Sequence, residues 1–298
     1  MTKAVTFIPI GGLGNQLFIY GAGRSLAHLL DCQLEIDKSF LCTTSAQASA
    51  GFTQRSYHLG DLIGATGVSE VWLNTHVRHQ FAIRRRRIVR YPVPRTTRRF
   101  RSTFVEDEAR RFDGRLFECE PGTLAFGYFQ SWKYLTPVED QLRSELNNLR
   151  RPTTWFSRMR DQIESTRGAI GVHIRRGDYP DPIKYEYYRR SLRLAEDLGG
   201  QHSIFLFSDD PDGSQALLNQ MGVDGQLIDP AQDSPDIESL LLLSKCDVII
   251  TANSTFSWWA GWLAEKPDAV VIAPRPWHFG SSTADADLIP PNWITIGR

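Results

Sequence analysis

The chain has 298 residues, enough for two domains of roughly 150 residues each and too many for one ordinary core. Apolar residues make up 41% and charged residues 23%, which argues against disorder and against a membrane-embedded chain. Lysine plus arginine and aspartate plus glutamate each total 34, so the zero formal net charge gives no support to a general polyanion-binding role.

Met1-Thr2-Lys3 leads directly into residues 4–10, an apolar run that reads as a strand. It is too short for a signal-peptide core or a spanning helix, so a cytoplasmic, bacterial protein is the expectation. Gly11-Gly12-Leu13-Gly14-Asn15 reads as a tight turn, and residues 16–30 as a helix with an apolar stripe at Leu17, Tyr20, Leu26, Ala27 and Leu30. A short strand at 33–36 ends at Asp37, completing a β-α-β opening that implies a parallel sheet. Over residues 45–123 periodicity is weak. That stretch includes an arginine-rich segment, residues 84–101, broken by Pro92 and Pro94. It reads either as a solvated, partly mobile surface segment or as a peripheral contact with an anionic membrane face or a lipid-linked phosphorylated acceptor. Nucleic acid is disfavoured, because aromatics do not interleave the arginines.

Residues 123–128 read as a strand leading into Gln130-Ser131-Trp132-Lys133-Tyr134, and residues 138–149 have helical spacing. Arg150-Arg151-Pro152 then interrupts, dividing an N-terminal lobe, 1–152, from a C-terminal lobe, 153–298. The second half alternates strands at 169–174, 203–207, 247–252 and 269–273 with helices at 185–198, 237–243 and 256–264, the rhythm of a doubly wound α/β sheet. The cysteines, Cys32, Cys42, Cys119 and Cys246, are scattered without a C-x-x-C pair, so reduced thiols are expected and neither zinc nor a disulfide framework.

The chemistry concentrates at strand ends. Gly11 to Gln16 imitates a dinucleotide fingerprint but carries Leu17 where the last glycine belongs. It is therefore either a bare βα turn or a place where the amides of Asn15 and Gln16 meet sugar hydroxyls. His173-Ile174-Arg175-Arg176-Gly177-Asp178-Tyr179 follows an apolar strand and brings two guanidinium forks to a carboxyl edge, where open α/β sheets bind ligands. A diphosphate is the guest it suits. Ser208-Asp209-Asp210 invites a metal reading, but no third oxygen ligand is suitably spaced; Asp210 reads as a helix N-cap or as a partner of a donor sugar. In Asn253-Ser254-Thr255-Phe256, Ser254 or Thr255 caps a helix whose first turn forms a second anion site. Trp258, Trp259 and Trp262 read as core residues.

Taken together, Gly-Gly-Leu-Gly-Asn-Gln-Leu-Phe (11–18), Gly-Tyr-Phe-Gln-Ser (127–131), His-Ile-Arg-Arg-Gly-Asp-Tyr (173–179), Phe-Ser-Asp-Asp (207–210) and Ala-Asn-Ser-Thr-Phe-Ser-Trp-Trp (252–259) resemble the α-1,2-fucosyltransferases of glycosyltransferase family eleven, in that family's order. The resemblance implies an α/β, GT-B-like fold of two Rossmann-like lobes with parallel sheets and a central cleft, the first lobe on the acceptor side and the second binding the nucleotide-sugar donor. It implies fucose transfer from GDP-β-L-fucose to the 2-hydroxyl of a galactosyl acceptor, with inversion, in oligosaccharide or O-antigen biosynthesis. No metal and no cofactor are expected.

Carried onto this chain, Arg175 and Arg176 would contact the diphosphate, His173 would lie near the nucleoside, Asp210 beside the donor, and Asn253, Ser254 and Thr255 at the phosphates. Asn15, Gln16, Asp37, Gln130 and Ser131 would face fucose or acceptor, and Asp178 is the candidate base. Where the family carries an aspartate ahead of Leu-Leu-Ser-x-Cys, this chain has Ser239 after Glu238, leaving Glu238 or Asp236 to read guanine. Competing readings are transfer from another GDP-sugar, a non-catalytic glycan-binding module using Trp132 and Tyr134 as stacking platforms, and a nicotinamide oxidoreductase, which Leu17 disfavours.

Overall fold

The computed structural model describes residues 3–63, 67–84, 87–95, 98, 100–149, 151–177, 182–199, 202–231, 235–278 and 285–298. They divide into two compact units, 1–148 and 149–298.

The first unit runs β1 (Ala4–Phe7), α1 (Leu13–Leu29), β2 (Gln33–Asp37), α2 (Thr44–Ser49), α3 (Gly60–Ile63), β3 (Ser69–Val71), β4 (His76–Arg84), β5 (Arg87–Arg95), β6 (Ser102–Val105), β7 (Thr123–Phe126) and α4 (Glu139–Asn147). Five strands form one sheet in the order β3-β2-β1-β7-β6, every pairing parallel. Because β1 is buried along its whole length, its Ala-Val-Thr-Phe run is mostly apolar rather than alternating, and Thr6 donates its hydroxyl to Glu35. Helix α1 begins three residues ahead of the expected start. Gly11 alone makes the turn, at φ +74, a conformation an L side chain resists. Asn15 and Gln16 consequently sit in the helix's first turn.

Much of the weak-pattern region is ordered. It supplies two short helices, β3, β6 and the antiparallel hairpin β4–β5, which forms a sheet of its own and carries most of the arginine-rich segment. The hairpin's register pairs Val77 with Pro94 and His79 with Pro92. Prolines cannot donate to a ladder, and a two-stranded ribbon consists only of edges, where they are tolerated.

The second unit runs α5 (Thr154–Ser165), β8 (Ala169–Ile174), α6 (Tyr185–Gly199), β9 (Ser203–Ser208), α7 (Pro211–Gln220), β10 (Gly225–Leu227), α8 (Asp236–Ser244), β11 (Val248–Ile250), α9 (Thr255–Trp262), β12 (Val270–Arg275), α10 (Asp285–Leu288) and β13 (Ile294–Gly297). Its parallel sheet has the order β10-β9-β8-β11-β12-β13, the doubly wound order in which the winding reverses between β8 and β11. Ile170, Val172 and Ile174 pack with Tyr187, Tyr188 and Leu192 of α6 in the core. The Tyr187 hydroxyl reaches the carbonyls of Thr251 (2.8 Å) and Ile272 (3.0 Å), so α6 is fastened just past the end of β11 and to the interior of β12 as well as packed against the sheet. Trp258, Trp259 and Trp262 are buried around one another, with Trp293 against Trp258, as the core reading of these tryptophans expects. Sequence periodicity missed α5, β10, α10 and β13, and α7 was anticipated only through its cap, Asp210.

Candidate functional site

The arginine motif lies at the reversal point of the second sheet. Val172 pairs with Ile250 and Ile174 with Ser208, so β8 leaves the sheet between the ends of β11 and β9. Three sequence motifs therefore emerge along one carboxyl edge. Along β8, Val172 and Ile174 enter the α6 core while the intervening His173 turns the other way and packs its ring on Phe256 of α9, centroids 5.2 Å apart. Ser254 caps α9, accepting from the Phe256 amide at 3.3 Å. A direct ring contact thus joins the arginine-bearing strand to the capped helix start.

From the other side, β9 delivers two carboxylates to the two guanidinium groups. Arg175 Nη1 lies 3.1 Å from Asp209 Oδ2, and Arg176 Nε lies 3.5 Å from Asp210 Oδ2. The four side chains are part-exposed, so these pairs contribute little to stability; what they do is hold the forks in place. Asp209 has a larger task. It accepts from the backbone amides of Arg176 (2.9 Å) and Gly177 (3.0 Å), shaping the loop that carries both arginines. A Cβ on Gly177 would stand 2.6 Å from Asp209 Oδ2, so this glycine is needed for close approach. Asp210 is the N-cap of α7, accepting from the Gly213 amide at 3.2 Å.

His173 is 4% exposed, and its Nδ1 is buried without a hydrogen-bond partner. Burial first, and then the charge of Arg175, push its pKa down to about 3, so the imidazole is neutral across the physiological range. Asn253 is buried, while Ser254 and Thr255 are part-exposed. Asp178 lies outside the described residues.

Glu238 has a different occupation from the one expected of it. It is 1% exposed, and its two oxygens accept from the Thr153 amide and the Thr153 hydroxyl, both at 2.7 Å. Thr153 is itself the N-cap of α5. Glu238 therefore ties two helix starts together in the interior.

The first sheet also reverses beside its first strand, between β1 and β7. Asn15, in the first turn of α1, accepts through Oδ1 from Gln130 Nε2 at 2.8 Å, bridging that point. Gln16 is fully buried and fully engaged: Nε2 donates to the carbonyls of Gly11 (2.9 Å) and Ser56 (2.8 Å), and Oε1 accepts from the His58 amide (2.9 Å). Asp37 is likewise buried, accepting from the amides of Ser39 and Leu73 and from the Thr75 hydroxyl. Ser131 is buried and caps a short turn at Lys133. Of the residues expected to face a sugar, Asn15 and Gln130 come together part-exposed, while Gln16 and Asp37 hold loops in place.

Two residues of consequence were missed by the sequence reading. Asp209 was weighed only as a metal ligand; that β9 neighbours β8 is the fact that gives it its role. Glu106, at the end of β6, has no motif around it. Among the described residues, no group of three or more histidine, cysteine, aspartate or glutamate side chains is placed to hold a metal ion, and no helix is long and apolar enough to cross a membrane.

The sequence matches the model of glycosyl transferase family 11 over residues 108–297, more than half of the chain. The chain belongs to that family. Among its relatives, the O-antigen biosynthesis glycosyltransferase WbnK of Escherichia coli is 27% identical, over 96% of this chain and 98% of that protein. An alpha-1,2-colitosyltransferase, also of Escherichia coli, is 24% identical over 97% of both chains. Among solved structures, the NodZ alpha-1,6-fucosyltransferase soaked with GDP-fucose aligns with a TM-score of 0.50 at 15% identity, covering 88% of this chain and 93% of that one. This likeness establishes the fold, a GT-B fucosyltransferase fold built here from two parallel-sheet α/β units. The protein is a family 11 glycosyltransferase.

Proposed function

We propose that this glycosyltransferase moves fucose from GDP-β-L-fucose to the 2-hydroxyl of a galactosyl acceptor, with inversion and without a metal. The observation that carries the reading is the pairing of Arg175 and Arg176 with Asp209 and Asp210 beside the capped start of α9, all at the reversal point of the second sheet. As the bond from fucose C1 to the diphosphate breaks, negative charge grows on the leaving phosphate. Preorganised guanidinium groups and helix N–H groups answer that charge where they are already fixed. The acceptor hydroxyl attacks C1 from the opposite face, and Asp178 is the proposed base that takes its proton. Asn15 and Gln130 are proposed to meet the acceptor or the transferred sugar.

Two further features extend the reading. The arginine-rich segment, residues 84–101, part of it on the β4–β5 hairpin, is the proposed contact with an anionic membrane face, which sedimentation with anionic vesicles at low and high salt would check. A second donor reading rests on the alpha-1,2-colitosyltransferase relative, which matches over 97% of this chain. Colitose lacks the 3-hydroxyl of fucose, so one contact decides between the two sugars. The test is a panel of GDP-fucose, GDP-colitose and GDP-mannose against β-galactosides, with and without EDTA, the product linkage being read by NMR. An α-1,2 fucosyl product formed equally well in EDTA supports the proposal; a product from another donor alone overturns it.

A further inference from the structure

Glu106 stands just past β6, and its carboxyl is tucked beneath the turn that follows β7. Oε2 accepts from two successive backbone amides, Tyr128 at 2.8 Å and Phe129 at 2.9 Å. Oε1 is buried and has no hydrogen-bond partner. Phe129 is held at φ +50, a left-handed conformation that a bulky residue adopts only when its surroundings impose it. The phenyl ring is gripped by Phe7, Phe104 and Tyr134, and the backbone by Glu106. Gly127 is where the carboxylate gets in: a Cβ there would lie 2.4 Å from the Glu106 Cβ and 2.8 Å from Oε2. The next residue along this turn is Gln130, whose amide meets Asn15 across the reversal point of the first sheet.

We propose that Glu106 is a positioning residue for acceptor binding: its carboxyl locks the turn at residues 127–129 and so aims Gln130 at Asn15. The inference rests on the reading that Asn15 and Gln130 face the acceptor. It also makes the turn sensitive to pH. Burial is the chief cause raising the Glu106 pKa, to about 7 from an ordinary 4.5; the two amides oppose it and the charge of Asp113 adds to it. The titratable groups facing Glu106 among the described residues are Asp113 and Tyr128. Asp113 is paired with Arg115 (2.8 Å), which also reaches Asp107 (2.9 Å). The locked turn therefore favours the protonated acid. That preference is complete below the ordinary carboxylate pKa and is lost as pH rises through about 7. If the opened turn has an ordinary carboxylate, its opening constant rises about tenfold between pH 6 and pH 8.

The experiment has two readouts on the full chain. Amide exchange at Tyr128 and Phe129, expressed as protection relative to the unstructured peptide, should fall about tenfold between pH 6 and pH 8 in the wild type. It should stay level in Glu106→Gln, where a neutral amide keeps the same acceptor oxygen at every pH. The same pH response in both proteins overturns the lock. With GDP-fucose as donor and methyl β-galactoside as acceptor, Glu106→Ala should raise the acceptor KM at least fivefold and leave the Kd for GDP unchanged, with Glu106→Gln restoring most of the loss. An unchanged acceptor KM in a folded Glu106→Ala overturns the inference; should that variant not fold, the exchange comparison still decides. Asn15→Ala and Gln130→Ala separate the two levels. If they leave the acceptor KM untouched, the acceptor reading falls whether or not the lock is present; if they raise it while Glu106 does nothing, only the Glu106 role falls.

Discussion

The two units share a parallel-sheet plan and both reverse their winding beside their first strand, yet they load that edge differently. In the first unit, Gln16 and Asp37 are buried and turned inward on the backbone of neighbouring loops, and a single amide pair, Asn15 with Gln130, remains part-exposed at the reversal point. In the second, guanidinium and carboxylate groups stand part-exposed in pairs, neutral as a set and charged one by one. Hydroxyl-rich sugars are recognised by neutral donors and acceptors, whereas a departing diphosphate calls for fixed cations. The proposed division of labour between the two edges rests on this contrast.

The largest expected effect tests the charged edge. Arg176→Ala should lower turnover by about 10- to 160-fold, the equivalent of one charge-assisted contact made only in the transition state. Arg176→Lys should lose less, and Arg87→Ala almost nothing. Steady-state kinetics on the three variants would break the comparison if their losses were alike. Next comes the inward-turned polarity of the first unit. Asp37→Ala strands two amides and a hydroxyl in the interior, so it should destabilise the fold by about 3 kcal/mol or more, read as a lower midpoint in urea. Its kcat per folded molecule should stay close to wild type, and a selective loss of turnover with unchanged stability would return Asp37 to the ligand-facing set.

A smaller effect sharpens the role of Asp209. Gly177→Ala puts a methyl against its carboxylate, so kcat should fall about tenfold while the melting temperature barely moves, because loop and ion pairs are surface features. The smallest is the cap. Ser254→Ala should cost about 1 kcal/mol of stability and raise the donor KM modestly, measured by thermal melts and by GDP titration.

Most of the second unit was legible in the sequence because its strands are short apolar runs closed by charged or capping residues, and its helices carry clear stripes. The Arg175 and Ser254 motifs could be read as anion-binding for the same reason: strand ends and helix starts announce themselves locally. The region between β2 and β7 was illegible. Its helices are a turn or two long, and the β4–β5 hairpin carries arginines and prolines where a core strand would carry alternating apolar residues. Glu238 shows a different limit. An acidic residue in a helix's first turn looks available for a ligand, and only its contact with Thr153, far away along the chain, shows that it is engaged.

By itself the sequence determined the class of the fold and the places where charge gathers, since periodicity, glycine turns and capping residues act over a few neighbouring positions; the family came from the resemblance of its motifs. Tertiary structure alone decided which of those polar groups remain available. Whether Asp209 grips the arginine loop, whether Gln16 and Asp37 turn inward, and whether Glu106 holds its proton depend on which strands lie side by side and how much water reaches each group. Hydrogen bonding and desolvation are settled by neighbours in space, and neighbours in space are set by the sheet order.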